Sequence, residues 1–162
     1  MSNPDPNDNG IIASAPAANA SLETPAAAEA GNLPLGIAAG SVAALIGGVL
    51  WAVITVVTEY QIGFMAVGVG FLVGAAVGKF GHGQDNVYRI AGAVLALLGC
   101  VLGNFFTLIG FAARSEGVSV FAMLTQIDFS AVPGVMASTA SPMDFLFYGI
   151  AIYEGYKLSV KS

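Results

Sequence analysis

The sequence predicts an all-α integral membrane protein: a four-helix transmembrane bundle with glycine-rich tight packing, a disordered N-terminal tail, and an interfacial or re-entrant segment before the last helix. Three observations carry this prediction. Of 162 residues, 56% are hydrophobic and 9% charged, against about a quarter charged in a soluble domain, so there are too few charges to cover a soluble core. The charges are also segregated, leaving residues 30–58, 60–78 and 90–113 uncharged, each near or above the ~18 apolar residues that mark a membrane span. Finally, small residues recur every fourth position inside these runs, the pattern that lets helix backbones approach closely in lipid.

Residues 1–32 are rich in Ala, Pro, Asn and Ser, and carry Asp5, Asp8, Glu23 and Glu29 without a Lys or Arg. They hold too little apolar surface to offset the entropy of ordering and are expected to be disordered. Thr24 before Pro25 would suit the start of a short helix there. A signal peptide is not expected, since a basic n-region is missing.

The first span reads LGIAAGSVAALIGGVLWAVITVV, about 35–57, with Pro34 suited to a helix start. The polar phrase TEYQ turns the chain into a shorter second span, about 62–79. The third, about 88–113, is bracketed by Arg89 and Arg114. The fourth, about 142–160, opens with Ser141 as N-cap, Pro142 at the first helical position and Asp144 at the third, the order of a capping box. Residues 118–139 are apolar but broken by Asp128 and Pro133-Gly134. Neither half is long enough to cross alone, so the segment either lies at the interface or dips in and returns; the interfacial placement is the expected one, because irregular backbone is not tolerated against lipid.

Four spans put both termini on one side with Lys79, Arg89, Lys157 and Lys161, leaving Arg114 on the other. The positive-inside rule then places the termini in the cytoplasm.

The small-residue rows are Gly36, Gly40, Ala44, Gly48 and Ala52 in the first span, Ala66, Gly70, Gly74 and Gly78 in the second, and Gly92, Ala96 and Cys100 in the third. They are read chiefly as packing faces inside the bundle, with a homo-oligomer or a larger membrane complex as the other use.

The polar residues set among the apolar runs are the candidates for a polar or ion site: Glu59, Gln61, Asn104, Glu154 and Lys157. An ionisable group in a membrane segment is costly and is by default a functional hypothesis. The competing reading is structural. Glu59 and Gln61 sit where a tight turn needs caps, Glu154 and Lys157 are three apart and near the interface, and Asn104 can bridge helices. Glu59 meeting Asn104 would begin a polar site.

Several function classes are disfavoured. A nucleic-acid partner would need a clustered basic face. The lone Cys100 precludes an internal disulfide, and with one histidine, His82, no metal site is expected. GVGFLVG falls inside a span rather than after a strand and is not a nucleotide loop. With no nucleophile beside a base, neither enzymatic chemistry nor a cofactor is expected.

The block WAVITVVTEYQIGFMAVGVGFLVG, followed by AGAVLALLGCVLGNFF and DFLFYGIAIYEGYK, resembles an uncharacterised family of small bacterial multi-spanning inner-membrane proteins. The resemblance covers roughly residues 36–160, leaves the tail outside, and implies a bacterial inner-membrane location with the same segment order. It carries no activity to any residue. The expected function is that of a non-enzymatic membrane protein acting by helix association, as an accessory or scaffold subunit or a homo-oligomer in the lipid bilayer. The alternative is a small channel or transporter component that uses intramembrane carboxylates for a cation or proton.

Overall fold

A computed structural model describes residues 31–60 and 63–160. Its six helices are α1 (Leu33–Thr58), α2 (Phe64–Gly81), α3 (Asn86–Glu116), α4 (Val120–Gln126), α5 (Val132–Thr139) and α6 (Pro142–Leu158). The expectations for the tail up to residue 30, for Gln61 and for Lys161 lie outside the described residues.

Three helices, α1, α2 and α3, are long and apolar enough to cross a membrane. The fourth span differs from the simple expectation. At 17 residues α6 is about 25 Å long, short of the ~30 Å hydrocarbon layer, and it carries Asp144, Glu154 and Lys157. Only together with α5 does it reach a span's length and hydropathy, and the two meet at 103°. The segment before it forms two short helices, α4 and α5, neither with a buried residue.

Local chemistry explains the boundaries. Asn32 caps α1, its side-chain oxygen accepting from the Leu35 N–H at 3.0 Å, and Pro34 occupies the first turn. α1 ends where Glu59 turns left-handed at φ 58°, a conformation that costs a non-glycine residue about 1–2 kcal/mol. α3 ends at Gly117, φ 64°, whose N–H returns to the Ala113 and Arg114 carbonyls. The capping box of α6 is complete: Ser141 N–H donates to Asp144 Oδ2 at 2.8 Å, and Asp144 N–H to Ser141 Oγ at 3.3 Å.

α2 and α3 form the central pair. α1 packs against both, α6 packs against both, and α1 and α6 do not touch, so they flank the pair on opposite sides. The buried face of α2 alternates Val69, Val73 and Val77 with Gly70, Gly74 and Gly78. A Cβ at Gly74 would lie 2.9 Å from the Glu154 carbonyl oxygen, and one at Gly70 would run into the Ala151 backbone, so α2 and α6 meet backbone to backbone. Gly92 of α3 meets Gly155 of α6 in the same way and lies against the side chain of Ser159, the residue that ends the helix. Gly36 lies against Gly81 and Val77, Gly40 against Val77 and Leu95, and Gly48 against Gly99 and Gly103. The bulky exception is Trp51, 1% exposed, whose ring seats on Gly103.

Candidate functional site

Helix α3 presents Val101, Asn104, Leu108 and Phe111 on one face at i, i+3, i+7 and i+10, with Thr107 beside them. α6 turns Asp144, Phe145 and Tyr148 toward that face, and α5, bent away from α6, lays Met136, Ala137, Thr139 and Ala140 across the opening. Between the three helices lies a cavity of about 390 Å³, within the usual range of about 300–1,000 Å³ for small-molecule sites.

Its walls are mostly apolar, and its polar groups are few and convergent. The Asn104 amide donates to the Tyr148 hydroxyl, tying α3 to α6 across the cavity. Thr107 donates back to the Gly103 carbonyl at 2.8 Å, which leaves its oxygen lone pairs to accept. Asp144, 8% exposed, gives Oδ2 to its cap, while Oδ1 makes no hydrogen bond among the described residues. Among the described residues no Lys, Arg or His lines the space.

The sequence candidates separate in space. Glu59 forms an ion pair with Arg114 at 3.1 Å, both side chains more than half exposed. Arg114 also donates from Nη1 to the Val56 carbonyl at 2.9 Å, satisfying an acceptor at the C-terminus of α1. Glu59 and Asn104 are therefore not brought together: Glu59 is held at Arg114, ten residues and about 15 Å along α3 from Asn104. Glu154 is half-buried where its backbone crosses Gly74, and it makes no ion pair among the described residues. The Glu154–Lys157 pairing is thus not made; Lys157 lies over the Tyr153 ring, 5.7 Å from its centroid, as Arg89 lies over Tyr156 at 5.3 Å. Of the polar candidates in the described residues, Asn104 alone lines the cavity.

Three residues of the site escaped sequence reasoning as site residues. Asp144 was fully accounted for by its capping role, although it is the one carboxylate in PMDFLFYGIAIY ahead of Glu154 and that isolation was visible. Tyr148 and Thr107 carried no signal, because an aromatic and a threonine are ordinary in an apolar helix. Trp51 Nε1 and Thr55 Oγ1 form a separate feature on the α3-facing side of α1: both are buried without a hydrogen bond among the described residues.

At the two short helices, Asp128 accepts from the Ser130 N–H at 2.9 Å and the Ser130 hydroxyl at 2.6 Å. These bonds hold its exposed carboxyl below the usual aspartate value. Among the described residues no three His, Cys, Asp or Glu side chains gather as a metal site would require. No family model matches the chain, and no curated protein and no solved structure matches it.

Proposed function

We propose that the protein is a non-enzymatic, multi-pass integral membrane protein serving as a small binding or transport component, with the α3/α5/α6 cavity as its working part. The observation that supports this reading is the cavity itself, apolar in its walls and carrying an inward set of Asn104, Tyr148, Thr107 and Asp144. Buried polar groups in a membrane protein line functional cavities more readily than lipid-facing surface. The Ala140 methyl lies on the wall contributed by the α5 end, so Ala140→Trp fills the space without touching the α2–α3 core. Native mass spectrometry after gentle extraction should find a bound small molecule on the wild-type chain and none on Ala140→Trp. A wild-type chain that emerges bare under all extraction conditions would count against the reading.

The location proposed is a bacterial inner membrane, on the resemblance of the TEYQIG and YEGYK phrases, with cytoplasmic termini. Lys79, Arg89 and Lys157 cluster at one end of the bundle and Arg114 stands at the other, the asymmetry on which the positive-inside rule acts.

Association as an accessory subunit or homo-oligomer is the second reading. Its sequence support was the small-residue rows, and these are occupied by neighbours within the chain. It keeps the large apolar outer faces of α1 and α6. Cross-linking in native membranes tests it, and a strictly monomeric species with no co-purifying partner would remove it.

A further inference from the structure

We infer that the α3/α5/α6 cavity is a site for a lipophilic organic cation, an ammonium group on an apolar or aromatic body, with Asp144 as its counter-ion. The inference rests on the cavity being a binding site, as proposed above, and adds its charge preference. Three observations carry it.

The first is the state of Asp144. The residue is 8% exposed, and Oδ2 is committed to the Ser141 N–H of the capping box, yet Oδ1 has no hydrogen bond among the described residues. A cap explains why an aspartate stands at this position of α6, and an acidic residue complements the positive end of the helix dipole there. Neither accounts for a second oxygen left on the wall of a cavity.

The second is the charge balance. Among the described residues no Lys, Arg or His lines the space, and the arginine nearest in sequence along α3, Arg114, is engaged with Glu59 and the Val56 carbonyl. An anionic guest would meet a carboxylate with no compensating cation, whereas a cationic guest would complete an ion pair in a low-dielectric setting.

The third is the character of the walls. Phe111, Phe145 and Tyr148 line the cavity together with aliphatic groups. Aromatic faces beside a carboxylate are how quaternary and tertiary ammonium groups are held, the ring quadrupoles sharing the charge while the body is desolvated. A small inorganic cation would need several oxygen ligands at close range, and the described residues offer only one carboxylate here.

Isothermal titration of the full chain in a neutral detergent tests the inference, with benzyltrimethylammonium as the cation and benzenesulfonate as an anion of similar body. The expected result is wild-type binding of the cation roughly tenfold or more tighter than the anion, with the preference lost in Asp144→Asn. Asparagine can still accept from the Ser141 N–H, so the cap survives this change. Phe145→Leu, at an exposed position where folding does not depend on the ring, should weaken the cation by a factor of roughly three to ten and leave the anion unchanged. Equal binding of the two ions, or an unaltered preference in Asp144→Asn, overturns the cation assignment while an effect of Ala140→Trp on both would leave the binding site standing. Absence of cation binding to wild type overturns it even if Asp144→Asn fails to fold, and indifference to Ala140→Trp removes the site and its charge preference together.

Discussion

Arg114 serves two partners, the Glu59 carboxylate and the Val56 carbonyl, and they differ in worth. The ion pair is exposed on both sides and belongs to the class worth about 0–1 kcal/mol, screened further by salt. The carbonyl is one of the unsatisfied acceptors at the C-terminus of α1, where a cation also complements the helix dipole. A double-mutant cycle of Glu59→Ala and Arg114→Ala should therefore give a coupling of about 1 kcal/mol or less, with Arg114→Ala alone costing more than Glu59→Ala. Thermal unfolding in detergent measures both, and a coupling of several kcal/mol would contradict the exposed geometry. At Asp128 the prediction concerns pH. Its folded value is depressed by the two Ser130 bonds, so whatever stability it contributes is complete above the ordinary aspartate value and fades only as the pH falls through the lower folded value. Carbon NMR titration should find its carboxyl ionised at pH values where an ordinary aspartate is half protonated, and Ser130→Ala should move it back up. The polar residues were legible in the sequence as unusual but not as partners. Glu59 and Asn104 stand out equally in an apolar chain, and only the geometry shows one meeting solvent and Arg114 while the other meets Tyr148.

Among helices, α2 and α6 are fitted backbone to backbone. Gly70, Gly74 and Gly78 bring the α2 backbone against the Ala151, Glu154 and Leu158 backbone, while Gly68, on the same helix, has nothing within 4 Å of its added Cβ. The two positions form a matched pair. Gly70→Ala should destabilise by about 1–3 kcal/mol, because a methyl there meets backbone that has no rotamer to give. Gly68→Ala should be neutral or slightly stabilising, since alanine is the better helix former. The resistance of the bundle to heating in mild detergent reads both, and equal effects would mean that α6 is not seated as described. The four-residue rows of small side chains were plain in the sequence, and so were the starts of α1 and α6, which follow from Pro34 and the Ser141 box. Periodicity supplies a face without naming what covers it. The row on α2 meets α6, the last helix in the chain, rather than its neighbour α1, and that assignment depends on three-dimensional complementarity alone. The start of α6 was read at Ser141-Pro142, where the structure has it, but its pairing with α5 was not, because the 103° bend between them has no other sequence marker.

The whole molecule has two chemically different ends, one with Lys79, Arg89 and Lys157 and one with Arg114, and its single cysteine is fully buried at Cys100. With the proposed orientation, a membrane-impermeant maleimide applied to intact cells should label Ser115→Cys and spare Gln84→Cys, while the unmodified chain stays unlabelled; the reverse labelling pattern would invert the topology. Position 115 is exposed next to Arg114 and position 84 is exposed in the connection between α2 and α3, so access rather than burial decides the result. The arrangement of the helices also bears on how the protein is made. Since α6 is seated entirely on α2 and α3 and never on α1, the first three helices can assemble while the rest of the chain is still on the ribosome. For that interval the groove of Gly70, Gly74, Gly78 and Gly92 lies uncovered. A newly made three-helix intermediate thus presents a narrow slot floored by glycines between ridges of valine, and the arrival of α6 is the step that closes it.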